Sequence, residues 1–225
     1  VPTRELVVQV VEEVEKLTKY MSVRTIGIFG GVNINTQKTT VYKGCDILVG
    51  TPGRIMDLTL DNVIRFEEMQ KLVIDEFDEM LNLGFRTQLT AILAMMPKKR
   101  QNILFSATMT DEVDAILNDY FDYPEEVTLS ASGTPLENIK QLSYQVPNFN
   151  TKINLLKHLL QNNEDMSRVL VFVNNKKISD MVLERIEEDF DGQFGVIHSN
   201  KSQNYRLTTM ALFQEGNLRG LITTD

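Results

Sequence analysis

The chain has 225 residues, 42% of them hydrophobic and 24% charged, a composition typical of a globular protein with one large or two modest domains. Its apolar runs are too short to span a bilayer and no signal-peptide pattern opens it, so we expect a soluble protein of the cytoplasm. One cysteine, Cys45, excludes an intramolecular disulfide, and the net charge of −8 disfavours nucleic acid as a partner unless a few arginines form a local site.

Apolar strand-like runs alternate with helical patterns along the whole chain, which predicts an α/β fold with parallel sheets. The first helix has the clearest period, because its apolar residues recur at spacings of three and four. The predicted strands are 24–29, 47–49, 72–74, 103–105, 127–129, 141–145, 169–173, 194–196 and 220–223. The predicted helices are 5–21, 54–60, 85–96, 111–119, 152–160, 178–189 and 204–215.

The chain divides into two halves of the same kind. Small and turn-forming residues at 130–135 make the best boundary, although 134–137 also fits a capping box that opens a short helix. We predict a first domain at 1–131, a linker at 132–140 and a second domain at 141–225. Both domains are expected to be truncated, the first at its N-terminal side and the second at its C-terminal side.

Three short motifs in the first half place ligand-binding groups at turns and helix starts. Pro2-Thr3-Arg4-Glu5-Leu6 opens a helix that Thr3 can cap, and its first-turn amides with Arg4 suit a phosphate. Gly30-Gly31 follows a strand and lets a backbone come close to a ligand. Thr51-Pro52-Gly53-Arg54 joins a strand to a helix start, with an arginine in the same region. Each motif taken alone also fits an ordinary turn.

The segment Leu72-Val73-Ile74 runs straight into Asp75-Glu76-Phe77-Asp78, which predicts a fully buried parallel strand ending in a polar cleft. Asp75 is expected to hold a magnesium ion through water, because this cation keeps much of its hydration shell. Glu76 is expected to orient or deprotonate an attacking water. In isolation, the segment fits a solvated acidic turn equally well.

Hydroxyl groups follow the next predicted strand. Ser106-Ala107-Thr108 ends that strand, so its hydroxyls could reach Asp78 at the end of the neighbouring strand. Hydroxyls at strand ends are also common as helix caps.

Taken together and in this order, the motifs resemble those of DEAD-box ATP-dependent RNA helicases of superfamily two, here with an Asp-Glu-Phe-Asp variant of the box. The second half continues the resemblance with Val171-Phe172-Val173-Asn174, Gln203-Asn204-Tyr205-Arg206 and Thr223-Thr224-Asp225. The resemblance covers essentially the whole chain. It implies two RecA-like domains that close over ATP and single-stranded RNA and thereby unwind a short duplex locally.

The resemblance also implies roles for individual residues. Asp75 and Glu76 would serve magnesium and water, while Asp78 with Ser106 and Thr108 would link the nucleotide state to domain closure. Contacts to the RNA backbone, which carry no sequence code, would come from Thr3, Arg4, Gly31, Thr51 and Arg54 in the first domain and from Gln203, Arg206 and Thr224 in the second.

The sequence departs from the family pattern at Phe77, which stands where the family has alanine. The third position of the box supplies no ligand, so we expect the substitution to be tolerated, with the ring packed near Met80, Leu81 and Phe85. Its bulk could still shift the contact between the hydroxyls and Asp78.

Three family motifs are missing from these residues: the Gly-x-x-x-x-Gly-Lys-Ser/Thr phosphate loop, the adenine-reading glutamine segment and the late His-Arg-x-Gly-Arg motif. Nothing else here would hold the β- and γ-phosphates. We therefore expect an active parent enzyme and an inactive isolated fragment. Two other readings stay open, a DNA helicase or translocase of the same superfamily and a non-catalytic RNA-clamping scaffold.

Overall fold

The computed structural model describes residues 1–129, 139–163 and 166–224. The chain divides into two compact units, Val1–Pro135 (unit 1) and Leu136–Asp225 (unit 2). The predicted boundary at 130–135 and the capping box at 134–137 lie outside the described residues.

Strands and helices alternate in both units. Unit 1 contains strands β1 (Thr25–Ile28), β2 (Ile47–Gly50), β3 (Lys71–Ile74) and β4 (Gln101–Leu104) and helices α1 (Arg4–Leu17), α2 (Ile34–Tyr42), α3 (Pro52–Leu60), α4 (Phe77–Asn82), α5 (Arg86–Met95) and α6 (Asp111–Tyr120). Unit 2 contains strands β5 (Val169–Phe172), β6 (Phe194–Ile197) and β7 (Gly220–Thr223) and helices α7 (Phe149–Asn162), α8 (Lys176–Glu187) and α9 (Gln203–Gln214).

All strand pairs in the described residues are parallel, which confirms the predicted α/β class. In unit 1, β1 pairs with β2 and β3 pairs with β4. In unit 2 the strand order is β5-β7-β6, so β7 is the central strand. Parallel strands present their carboxyl ends at one edge of the sheet, which is the edge where ligands bind in open α/β folds.

Polar side chains define where several helices begin. The Thr3 hydroxyl accepts a hydrogen bond from the Leu6 amide at 3.2 Å and starts α1, as the sequence predicted. Ser202 caps α9 in the same way through the Tyr205 amide at 3.2 Å. Caps of this kind each stabilise a helix by about 1 kcal/mol.

Each unit buries its own apolar core. In unit 1 the largest fully buried side chains include those of Phe77, Leu58 and Ile116, which join strands β1 and β3 to the surrounding helices. In unit 2 the core is centred on Ile186 and Ile222. The prediction that Phe77 packs among Met80, Leu81 and Phe85 is confirmed, because all four belong to the unit 1 core cluster.

Three strand predictions were wrong. Residues 127–129 and 141–145 form no strand, and Leu129 is 94% exposed. Extended residues become a strand only when a neighbour completes the ladder, and no described strand lies against either segment. Strand β3 is also not fully buried, because Val73 is 58% exposed.

Two helices, α2 and α4, were not predicted. Helix α2 has little amphipathic character, since polar and β-branched residues fill most of its nine positions. Helix α4 has only six residues and starts inside the acidic segment. None of the helices in the described ranges is long and apolar enough to cross a bilayer.

We predict that Phe77→Ala destabilises unit 1 by about 3–5 kcal/mol, because a fully buried ring would leave a cavity. Native-state hydrogen exchange reports the free energy of unfolding of unit 1, with unit 2 as an internal reference. Val73→Ala on an exposed face is the matched control and should stay within about 0.5 kcal/mol of wild type. A loss below about 1 kcal/mol for Phe77→Ala would show that the core closes around the smaller side chain.

Candidate functional site

The parallel register of β3 and β4 places two polar segments side by side. Ile74 lies opposite Leu104, so the residues that follow each strand leave the sheet at the same edge. The ladder continues beyond the strands, because the Phe105 amide donates to the Ile74 carbonyl at 2.8 Å and the Phe77 amide donates to the Phe105 carbonyl at 3.0 Å. The acidic segment and the hydroxyl segment are therefore neighbours, as the sequence predicted.

Asp75 and Glu76 form the turn from β3 into α4. The Asp75 carboxylate accepts a hydrogen bond from the Glu76 amide at 3.0 Å. Glu76 has left-handed backbone angles, φ 53° and ψ 53°, which are uncommon for a residue with a side chain. Such conformations concentrate at functional sites, and here the turn places three carboxylates within four positions.

The charge state of Glu76 is shifted toward the protonated form. Burial raises the pKa of Glu76, and the negative charges of Asp75, Glu79 and Asp78 raise it further. A carboxyl group with a raised pKa accepts a proton from water more readily than an ordinary glutamate. The direction of the shift suits the role of general base.

Asp78 is held by the segment that follows β4. Its carboxylate accepts hydrogen bonds from the Thr108 hydroxyl at 2.6 Å and from the Thr108 amide at 2.9 Å. Burial alone would raise the pKa of Asp78, but these hydrogen bonds outweigh it and lower the pKa. Asp78 is thus a stable anion that ties α4 to the end of β4.

Ser106 contributes differently from Thr108. Its hydroxyl donates to the Thr108 carbonyl at 2.8 Å. The Ser106 hydroxyl lies close enough to Asp78 to help lower the pKa of that carboxyl group. Its one proton is used in the bond to the Thr108 carbonyl, which stabilises the turn after β4. The structure therefore brings both hydroxyls together with Asp78, and Thr108 makes the direct side-chain contact. The Phe77 ring has not displaced this contact.

The donor set fits a hard cation. In the parts of the chain that the structure describes, no group of three or more His, Cys, Asp or Glu side chains is placed to hold a metal ion by itself. Magnesium needs no such group, since it takes one or two carboxylates together with phosphate oxygens and water. Asp75 and Glu76 supply carboxylates of that kind at the edge of an open cleft.

A second group of residues lies beyond β1 and β2. Ile28 is opposite Gly50, so the Gly30-Gly31 turn and Thr51 emerge next to each other. Thr51 is buried, and its amide donates to the Ile28 carbonyl at 3.2 Å. Thr3, which starts α1, lines the same open cleft as Asp75.

The Arg4 guanidinium lies against the glycine turn. Gly31 has a φ of +81°, which strains any residue with a side chain, and a Cβ added there would lie 2.7 Å from Arg4 Cζ, so the guanidinium would have to move. Arg4 is half-buried, and its guanidinium makes no hydrogen bond or ion pair with another described residue. A cation beside a bare backbone turn is a suitable ligand for a phosphate group.

Arg54 lies in a different environment. Its side chain is only 8% exposed, and its guanidinium donates to the Gln37 side-chain oxygen at 2.6 Å and to the Val32 carbonyl at 3.3 Å. Sequence reasoning missed Gln37, because it lies in the unpredicted helix α2 and nothing distinguishes it from its exposed neighbours. Of the two arginines named for this face, only Arg4 has an uncommitted guanidinium.

In unit 2 the named residues lie near the carboxyl edge of the sheet. Gln203 and Arg206 occupy the first turn of α9, where the Arg206 guanidinium donates to the Gln203 side-chain oxygen at 3.5 Å. Thr224 follows the central strand β7. The connection from β6 to α9 is fixed by buried His198, whose Nδ1 accepts from the Asn200 amide at 3.3 Å and whose Nε2 lies 3.2 Å from Asp180.

Both units match family models of helicases. The family model described as "DEAD/DEAH box helicase" matches residues 1–116, and the model described as "Helicase conserved C-terminal domain" matches residues 151–225. The chain belongs to the DEAD/DEAH box helicase family, and the fold expectation of two RecA-like domains is confirmed.

Individual relatives agree with this assignment. The chain is 35% identical to the DEAD-box ATP-dependent RNA helicase CshA of Bacillus cereus over 100% of its own length and 42% of the relative. It is 33% identical to the ATP-dependent RNA helicase DbpA of Bacillus subtilis, over 100% of its length and 46% of the relative. The chain thus spans about half the length of the curated relatives it matches.

Solved structures share the fold. The structure of S. cerevisiae Dbp5 bound to RNA and ADP BeF3 matches with a TM-score of 0.83 and 25% identity, over 99% of this chain and 56% of that one. A DEAD box protein from the hyperthermophile Methanococcus jannaschii matches with a TM-score of 0.56 and 33% identity, over 100% of this chain and 59% of that one.

We predict that Thr108→Val raises the pKa of Asp78, because burial then acts without the opposing hydroxyl hydrogen bond. In wild type the folded pKa lies below the ordinary value of 3.8, so the stabilisation is present above that pH and is lost as pH falls through the folded pKa. Carbon-13 NMR of the Asp78 carboxyl group during acid titration measures the change.

Ser106→Ala is the matched control for this titration and should raise the pKa of Asp78 less, because the Ser106 hydroxyl donates to the Thr108 carbonyl. Equal shifts in the two variants, or none in Thr108→Val, would contradict the geometry.

Proposed function

We propose that this chain forms part of an ATP-dependent RNA helicase, an enzyme that grips an RNA backbone and separates short duplexes at the expense of ATP hydrolysis. The observation that carries the proposal is the hydrogen bond from the Thr108 hydroxyl to Asp78 at 2.6 Å, which ties the acidic turn to the neighbouring strand end. Both family models and the relatives named RNA helicases support it.

Asp75 and Glu76 are proposed to act on the nucleotide. Asp75 would hold magnesium through water, and the ion would neutralise charge on the phosphates when bound. Glu76 would orient the attacking water and accept its proton, a role that its raised pKa favours. Asp78, Ser106 and Thr108 would then relate the state of this site to the rest of unit 1.

RNA is proposed to bind along the glycine turn and the start of α1. Arg4 would pair with a phosphate, while Gly31 and Thr51 would offer backbone and short side chains at close range. In unit 2, the proposed contacts to an RNA backbone come from Gln203, Arg206 and Thr224. Contacts of this type read no base, so binding should be largely independent of sequence.

Two alternatives differ in measurable ways. A DNA helicase or translocase would separate DNA duplexes as well as RNA duplexes, and a non-catalytic RNA clamp would bind RNA without hydrolysing ATP. The names of the relatives favour RNA, and the complete acidic set favours hydrolysis. Unwinding of matched RNA and DNA duplexes by the full-length protein separates these functions, and equal activity on both would overturn the RNA proposal.

For the full-length protein, we predict that Glu76→Gln lowers the RNA-stimulated turnover of ATP by about 10²–10⁴-fold, the usual contribution of a general base. RNA affinity in the presence of ATP should persist, because the substitution changes none of the groups proposed to contact the RNA backbone. Glu68→Gln, which changes an exposed carboxylate outside the acidic turn, is the matched control and should retain most of the turnover. Near-normal turnover in Glu76→Gln would remove Glu76 from the mechanism.

We further predict that the 225-residue chain alone shows no significant RNA-stimulated ATPase activity, because its sequence contains no phosphate loop. A phosphate-release assay with and without RNA measures this, and turnover comparable to that of the full-length enzyme would overturn it. A cytoplasmic location is part of the proposal, since the free Cys45 thiol suits a reducing compartment.

A further inference from the structure

Arg54 is almost completely buried, although its Thr51-Pro52-Gly53-Arg54 motif was predicted to contact the RNA backbone. Its guanidinium donates to Gln37 Oε1 at 2.6 Å and to the Val32 carbonyl at 3.3 Å, and Asp57 lies 3.6 Å from its Nε. A guanidinium has five donors in a fixed fork. Here the fork is directed inward at the turn after β1, and only 8% of the residue is exposed.

Gln37 completes the connection from the other side. Its side-chain nitrogen donates to the Phe29 carbonyl at 3.2 Å, while its side-chain oxygen accepts from Arg54. Gln37 is itself buried, with 9% of its surface exposed. One amide therefore bonds the start of the glycine turn, at Phe29, and Arg54 bonds its end, at Val32.

We propose that Gln37 and Arg54 are positioning residues, which fix the Gly30-Gly31 turn against the start of α3 so that both approach one RNA backbone together. This inference rests on the proposed RNA-binding function and adds a division of labour to it. Arg4 supplies the charge that meets a phosphate. The Arg54 charge does not contact the RNA, and its buried hydrogen bonds hold the glycine turn in place.

A glycine turn that is disordered before binding loses conformational entropy when RNA orders it. Gly31 adopts a φ of +81°, and a glycine pair without support would sample many conformations. Ordering such a turn at the moment of binding would weaken the affinity. Buried hydrogen bonds to a charged group are among the stronger polar contacts, so this pair can keep the turn ordered before RNA arrives.

The dependence of RNA affinity on salt distinguishes a positioning residue from a phosphate ligand. Each phosphate neutralised on a single strand contributes about 0.7 to the slope of log affinity against log salt concentration. The full-length protein is titrated with fluorescent oligouridine and a non-hydrolysable ATP analogue over a range of potassium chloride concentrations. The variants are Arg4→Met, Arg54→Met, Gln37→Leu and Gln37→Glu.

We expect Gln37→Leu and Arg54→Met to weaken RNA binding by about tenfold, the scale of one buried hydrogen bond to a charged group. Both should keep the wild-type salt slope, whereas Arg4→Met should lower it by about 0.7. The double variant Gln37→Leu with Arg54→Met should be no weaker than either single variant, because the two residues act as one unit.

Gln37→Glu tests the hydrogen bond directly and covers the case in which Gln37→Leu fails to fold. A glutamate retains the acceptor for Arg54 but cannot donate to the Phe29 carbonyl, so affinity should lie between that of Gln37→Leu and that of wild type. Thr39→Val, on the exposed face of α2, is the matched control and should change nothing.

Three results would overturn the proposal: wild-type affinity in Gln37→Leu, a salt slope lowered by about 0.7 in Arg54→Met, or Gln37→Glu as weak as Gln37→Leu. If the wild-type protein binds no RNA, the proposed function itself fails instead.

Discussion

The parallel register of two strand pairs determines where most candidate functional residues of unit 1 lie, those that follow a strand. Because Ile74 is opposite Leu104, the acidic turn and the hydroxyl turn leave the sheet together, and Thr108 reaches Asp78. Because Ile28 is opposite Gly50, the glycine turn and the start of α3 also leave together. A slip of one residue in either pair would turn each side chain to the opposite face and would separate the groups that the chemistry needs.

The electrostatics of unit 1 follow from this arrangement. An acidic protein with a net charge of −8 has no general attraction for a polyanion. A group of carboxylates, those of Asp75, Glu76, Asp78 and Glu79, lies at the end of β3, where hydrogen bonds and a cation can balance their charge. The glycine turn is approached by one available guanidinium, that of Arg4, while Arg54 is used inside the protein. Contact with a polyanion at this turn would therefore depend on the local placement of a few groups and not on the overall charge.

Sequence patterns predicted the elements that owe their structure to local periodicity and caps. Helix α1, with its Thr3 cap, and the strand ends at Asp75 and Ser106 are examples. Strand predictions were wrong where strand formation depends on pairing with a neighbouring strand, since residues 127–129 and 141–145 have no described strand beside them. Gln37 could not be predicted, because its importance depends on Phe29 and Arg54, which only the folded chain brings together.

In the proposed mechanism, RNA contacts the glycine turn and the nucleotide contacts the acidic turn. A crystal structure of the full-length protein with single-stranded RNA and ADP–BeF3 tests it most directly. We expect a phosphate within hydrogen-bonding distance of the Arg4 guanidinium and the Gly31 amide, and a hydrated magnesium ion beside Asp75. RNA bound elsewhere on unit 1, or a nucleotide metal held without Asp75 and Glu76, would contradict it.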